Sequence, residues 1–262
     1  KFGVTFTDST LGTDLAQHVA TELQKRFNET NPDSDVTVWG PDRVSHIMGQ
    51  NDKERAASAA QLAKDIEADV VVYGVIDSTN KFVTPKFELS TDRFEDFYEV
   101  EEIISQQALG ASLPISGDFI DRDSTSRELT IAIEALFNFL YGMGNYYKVP
   151  PDYKEALARF QAADIEEWRN EKGKHILYDM LGNAAGKNED FSQAEAYFEK
   201  SKLIKPDYAR AYLGLADVYF MSATAALEKE NSKYTDVDAA LLNQAIQTYE
   251  QAKNIALGSP SP

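Results

Sequence analysis

Residues His175 to Tyr208 read HILYDMLGNAAGKNEDFSQAEAYFEKSKLIKPDY, and the spacing of small and large residues in this stretch decides the fold of the second half of the chain. Tyr178, Leu181, Gly182 and Ala185 set a first pattern, large, apolar and small, with a fourth residue that is large in the other copies. Ala194, Phe198 and Ser201 set a second, A-x3-F-x2-small. Both recur. Tyr212, Leu215, Ala216 and Tyr219 repeat the first pattern 34 positions later, and Leu140, Met143, Gly144 and Tyr147 precede it by 38. Ala156, Phe160 and Ala163, then Ala245, Tyr249 and Ala252, repeat the second. Self-similarity at a fixed period signals stacked supersecondary units that bury one continuous core. A small residue in each helix of a pair permits a close crossing, and the aromatic fills the space between neighbouring pairs.

These residues resemble the tetratricopeptide repeat family, whose unit is a helix–turn–helix. The resemblance is densest from His175 to Tyr208, where Pro206 stands at the family's turn into the next unit. It implies a short α-solenoid of about three hairpins over residues 122–258, with 259–262 a linker or tail. Repeat one is four residues longer, around Asp164–Lys174, and repeat three carries 17 extra residues over roughly Ser222–Asp238. That insertion reads as an extended first helix and a polar loop, either a contact element or a tolerated long hairpin. The first helix is expected to begin within Asp123–Leu136, where Thr125 and Glu128 have capping-box spacing and Asp123 or Ser124 could cap instead. Nothing after Leu257 reads as a solvating cap, so the array is expected to continue or to pack on another chain.

In this family the first helices of successive hairpins line a groove for an extended or helical peptide. Spacing from the signature residues carries the groove onto Tyr141, Asn145 and Lys148 in repeat one, and onto Asp179, Asn183 and Lys187 in repeat two. Arg210, Leu213, Asp217 and Phe220 follow in repeat three. Asn145 and Asn183 then occupy equivalent places, where an amide bonds a ligand backbone without specifying its sequence. Asp179 and Asp217, and the lack of the family's Lys/Arg set, argue against clamping a terminal carboxylate.

Residues 1–121 read as a small α/β domain. Phe2–Thr7 alternates as a strand, and Thr13–Phe27 is amphipathic through Leu15, Val19, Leu23 and Phe27. Asp35–Trp39 reads as a second strand and Asp52–Ile66 as an Ala-rich helix. Ala68–Ile76 is a continuous apolar run suited to a central strand, and Lys81–Leu89 is its antiparallel partner. The order β-α-β-α-β-β gives a mixed sheet with helices packed over it. This order, with Asp69-Val-Val-Val-Tyr-Gly74, resembles the amino-terminal domain of the periplasmic TolB family. That resemblance implies an extracytoplasmic setting within a bacterial envelope or signalling assembly, and it carries over no functional residue.

Ligands of α/β sheets sit beyond the carboxyl ends of strands. There the chain has Asp8-Ser9-Thr10 and Asp77-Ser78-Thr79, two copies of one tripeptide that could bond a polar ligand or a hard cation. The same residues are good turn and cap formers. A third copy, Asp123-Ser124-Thr125, stands where a helix is expected, which favours that reading. The acidic run Asp92, Glu95, Asp96, Glu99, Glu101 and Glu102 lacks the spacing and turn glycine of a calcium loop, so it reads as a solvated face.

Composition narrows the classes further. The 262 residues hold 26 Lys+Arg against 43 Asp+Glu, three histidines and no cysteine, for a net charge of −17. Residues 1–121 carry −12 of it and residues 122–262 carry −5. Thiolate sites and disulfides are excluded, and phosphate-backbone binding wants clustered Lys and Arg that are not there. No apolar run reaches the ~20 residues of a bilayer span. His18, His46 and His175 have no triad partners in sequence, and Gly-x-Ser-x-Gly and phosphate-loop motifs are absent. The chain starts at Lys1, inside a strand, which reads as an excised or processed product. The reading is a non-catalytic interaction protein without cofactor or metal, binding a protein or peptide, with self-association possible. The alternative is a ligand-sensing or enzymatic α/β half with the repeats as its partner arm.

Overall fold

The computed structural model describes residues 1–6, 10–30, 36–77, 82–90, 113–114, 119–164, 173–228 and 237–258. The chain is mixed α/β and largely helical, and it forms two compact units. One spans Lys1–Phe137; the other spans Asn138–Asp164 with Glu171–Pro262.

The first unit is built on five strands: β1 (Phe2–Phe6), β2 (Val38–Trp39), β3 (Val70–Asp77), β4 (Phe82–Leu89) and β5 (Leu113–Pro114). Their order is β2-β1-β3-β4-β5, with β1 parallel to β2 and β3, and β4 antiparallel to β3 and β5. The Val70–Tyr73 run is fully buried, as a strand covered on both faces must be. Pro85 pairs with Gly74. It lies beyond the two residues of β4 that meet β5, so its missing N–H costs no ladder bond on that side.

Helix α1 (Thr10–Thr30) buries Leu15, Val19, Leu23 and Phe27, four residues apart on one stripe. The Phe27 ring packs tilted against Phe2 at 5.7 Å, which fixes the sheet face α1 covers. Helix α2 (Asp52–Asp65) covers the other face, burying Ala59, Leu62 and Ala63 against Val44, Val71 and Tyr73. Gly3 points the same way: a Cβ there would meet Ile66 at 3.2 Å. Asn51 caps α2 by accepting from the Glu54 amide at 3.0 Å, while Glu54 reaches back to the Gln50 amide at 2.8 Å.

Helix α3 runs unbroken from Phe119 to Tyr147. The start expected at Asp123–Thr125 is therefore interior to it, because neither glycine nor proline interrupts residues 119–141 and propagation is favoured once a turn exists. Its first part belongs to the sheet unit. Phe137 lies 4.4 Å from Phe27 and 5.7 Å from Phe2, and Arg26 pairs with Glu134 at 2.8 Å. The units consequently divide inside α3, between Phe137 and Asn138, and not at 121/122.

The second unit continues from α3 through α4 (Tyr153–Ala163), α5 (Lys174–Lys187), α6 (Phe191–Ile204), α7 (Ala209–Thr224) and α8 (Ala239–Ala256), with a 3₁₀ turn over Ala225–Glu228. From α4 onward each helix packs on the next, and α5 also touches α7. Asp152, Asp190 and Asp238 cap α4, α6 and α8 through the amides of Glu155, Gln193 and Ala240, at 3.0, 3.0 and 2.9 Å. Ala156, Ala194, Ala245, Phe160 and Phe198 are buried. Phe198 sits between two glycines: a Cβ on Gly182 would come within 2.7 Å of its ring, and one on Gly214 within 2.3 Å. In the preceding pair it is Gly142 that lies under Phe160, its Cβ position 2.6 Å from the ring, whereas Gly144 is exposed with nothing within 4 Å. The match of Gly144 to Gly182 is thus corrected by two residues. The turn between α3 and α4 is longer than that between α5 and α6 by the same amount.

Candidate functional site

The ten groove positions read from the sequence all fall in the second unit, and they behave differently there. Tyr141 on α3 is exposed and carries the Arg159 guanidinium 4.7 Å over its ring. Asn145 is buried, and both ends of its amide are engaged. Its Nδ2 donates to the Tyr141 carbonyl at 3.0 Å, and its Oδ1 accepts from the Lys148 ammonium at 2.8 Å. Lys148 also pairs with Asp152 at 3.5 Å. Asp152 is held below the usual carboxylate range, chiefly by the Glu155 amide it caps. Asn145 and Lys148 therefore close the α3–α4 turn. Asn145 is also not the counterpart of Asn183: Gly142 and Gly182 stand 40 apart, so Asn183 corresponds to the buried Met143.

On α5, Asp179 is only 2% exposed, too deep to meet a ligand. Half-buried Asn183 donates to its Oδ2 at 3.1 Å. Lys187 is exposed in the last turn. On α7 the spacing of four and three residues places Leu213, Asp217 and Phe220 on one face, with half-buried Arg210 preceding them. Leu213 is 49% and Phe220 45% exposed. Asp217 accepts a short hydrogen bond from the Tyr249 hydroxyl of α8, and burial with this bond pushes the phenol up to about 12. Leu213, Asp217 and Phe220 thus face outward, whereas Asn145 and Asp179 are buried.

Of the turn residues, Thr10 opens α1 and is exposed, and Asp77 ends β3 opposite Phe82. Asp8, Ser9, Ser78 and Thr79 lie outside the described residues, as does the acidic run from Asp92 to Glu102. His18 and His46 are exposed. His175 lies edge-on to Tyr208 at 4.7 Å, and burial, with Lys205 nearby, lowers its pKa to about 4.

The sequence reading missed a buried polar group under α2. Glu88 of β4 is 3% exposed, and its Oε2 has no hydrogen-bond partner among the described residues. Burial raises its pKa to about 7. Tyr73 and Thr5, on the same sheet face, are likewise buried, their hydroxyls without a partner among the described residues, and burial raises the Tyr73 phenol. Lys86, opposite Tyr73, reaches the Asp52 carboxylate at 2.6 Å, and Arg55 reaches it at 2.9 Å. Asp52 is held low by those two bonds, the Lys86 bond first. The charged pairs are satisfied at the rim while Glu88 lies beneath them as a proton-binding group near neutrality. The alternation of β4 was its only sequence signal.

Among the described residues there is no group of three or more His, Asp or Glu that could hold a metal, and no helix is long and apolar enough to cross a membrane. No protein-family model and no curated protein matches the chain.

Proposed function

We propose that the chain is a non-catalytic interaction protein whose second unit stacks tetratricopeptide-type hairpins and receives a peptide on the outward face of α7. The observation that carries this reading is the exposed pair Leu213 and Phe220, which shares one face of α7 with Asp217 and is preceded by Arg210, while Ala211, Gly214, Leu215, Ala216, Val218 and Tyr219 are buried. Exposed aromatic and aliphatic side chains one helical turn or two apart are what a helix-groove or extended-peptide interface uses as anchors. The wedge of Phe198 between Gly182 and Gly214 supports the stacked-hairpin part, because it makes neighbouring pairs one packed body. The α/β unit serves as an accessory recognition module, and its acidity favours basic partners.

The test is selection of a displayed random-peptide library on the full chain, followed by calorimetry of the selected peptides. Binding should weaken about tenfold in Phe220→Ala and in Leu213→Ala. Peptides indifferent to both substitutions would sink the reading. A thermal shift with nucleotides, sugars or divalent cations that disappears in Asp8→Ala or Asp77→Ala would favour the ligand-sensing alternative. Light scattering decides self-association.

A further inference from the structure

A different face of the second unit has its own chemistry. Residues Ala196, Glu199, Lys200 and Leu203 form one stripe along α6, at i, i+3, i+4 and i+7. With Lys202 and with Tyr212 of α7 they line an open groove of about 460 Å³. Leu203 is 83% exposed at its rim, although it stands in the last turn of a helix whose inner face is fully packed. An apolar anchor is therefore offered to solvent beside Ala196 and the Tyr212 ring.

The charge around that anchor is opposite to the rest of the molecule. Lys200, Lys202 and Lys205 fall within six residues that contain no acid, in a chain of net charge −17. Each ammonium lies over a tyrosine ring: Lys200 at 5.1 Å from Tyr178 and 5.4 Å from Tyr197, Lys202 at 4.7 Å from Tyr212, and Lys205 at 5.2 Å from Tyr208. Cation–π contact holds these flexible side chains against the surface, so less rotamer entropy is lost when they meet an anion. Lys202 also pairs with Glu199 at 2.7 Å. Lys200 and Lys205 have no carboxylate within ion-pair distance among the described residues. Lys200 in the groove lining, and Lys205 two residues after Leu203 in the chain, thus have no ion-pair partner among the described residues.

We propose that this groove binds an acidic peptide segment carrying one large apolar side chain, which seats against Ala196, Leu203 and Tyr212 while flanking carboxylates meet Lys200 and Lys205. Charge complementarity selects the occupant: a basic or neutral segment would leave both ammonium groups unpaired. The overall charge of −17 repels such a peptide at long range. At physiological salt the screening length is about 8 Å, so contact attraction from the lysines survives while the distant acids are damped. The proposal does not rest on the α7 reading, since Leu213, Asp217 and Phe220 take no part in it.

The experiment uses the full chain and a fluorescein-labelled Glu/Gly peptide with one central Phe, followed by anisotropy at about 0.15 M salt. Two control peptides replace Phe by Ser, or every Glu by Gln. The Glu/Phe peptide should bind and both controls should bind at least tenfold more weakly, a difference of about 1.4 kcal/mol. Lys200→Glu and Leu203→Ser should each weaken it about tenfold, and Phe220→Ala should leave it unchanged. Both groove substitutions are at exposed positions, and an unaltered circular-dichroism melt certifies the fold. The proposal is overturned by no binding at about 1 mM peptide, by binding that survives both groove substitutions, or by binding indifferent to the Phe, which would be ion exchange alone. Tighter association with phosphatidylserine vesicles, lost in the same variants, would assign the face to a lipid surface and overturn the peptide occupant.

Discussion

Replacing Gly214 by alanine puts the hairpin stack to a quantitative test. The added Cβ would stand 2.3 Å from two ring carbons of Phe198 and 3.0 Å from a third. Carbon atoms in contact prefer about 3.5 Å or more, so about 1.2 Å must be absorbed. The ring cannot supply it by retreating, because Gly182 lies across from it with its own Cβ position only 2.7 Å away. Phe198 is 1% exposed and has no solvent side to swing into. The helices must therefore separate, and overpacking of this kind costs ~1–3 kcal/mol. Against it stands a gain of ~1 kcal/mol from replacing glycine in a helix interior. A net loss of up to about 2 kcal/mol is expected. Gly144→Ala is the matched control: it has the same propensity gain, an exposed helical position and nothing within 4 Å. It should stabilise by up to ~1 kcal/mol. Urea unfolding with an unchanged m-value reads both, and the two alanines should move the midpoint in opposite directions. Phe198→Leu should recover most of the Gly214→Ala loss, giving a coupling energy above ~1 kcal/mol in the double-mutant cycle. If Gly214→Ala stabilises as much as Gly144→Ala, the wedge does not exist and the stacking argument fails with it.

Two further expectations concern buried titrating groups, and they have opposite signs. Glu88 binds its proton up to about pH 7 in the folded chain but only to 4.5 when unfolded, so its contribution is intact below 4.5 and is lost as pH rises through 7. Glu88→Gln should leave stability unchanged at low pH and raise it at high pH by about 2 kcal/mol, the shift being discounted for residual solvent screening. Hydrogen exchange of β3 amides at both pH values reads the difference, and an equal effect at both would refute it. His175 is depressed from 6.5 to about 4, so its stabilising neutral state is lost as pH falls through that range. Because it is only half buried, the effect should be about 1 kcal/mol, and His175→Gln should flatten the acid limb of α5–α6 exchange protection.

What the sequence disclosed, and what it hid, follows from the range of the interactions involved. β1, β3, β4, α1 and α2 were legible because their burial follows a local period: Leu15 to Phe27 by fours, and Val70 to Tyr73 as one run. The triplets around Phe160 and Phe198 were legible for the same reason. β5 was missed because two residues carry no period. The length of α3 was missed because Thr125 and Glu128 satisfy a capping box wherever they stand, and tertiary packing of Phe137 on Phe2 and Phe27 overrides the signal. The Asp caps at 152, 190 and 238 were readable three residues ahead of Glu155, Gln193 and Leu241 and were overlooked.

The misplacement of Asn145 has an identifiable origin. Counting back by a constant 38 assumes that the turn between helices has a constant length, but the α3–α4 turn spans Lys148 to Asp152, while the α5–α6 turn spans Asn188 to Asp190. Two glycines, Gly142 and Gly144, were available for one close crossing, and only the turn length chooses between them. The choice rotates α3 by two residues, about 200° of helical phase. A position counted as groove-facing is carried to the other side of the helix by such a rotation. That is why Asn145 emerges buried with its amide spent on its own turn, and why the same count, applied to α7 where the first pattern keeps the 34-residue spacing, places Leu213 and Phe220 in solvent. A helical phase is therefore carried from one unit to the next by repeat spacing only where the intervening turns have the same length.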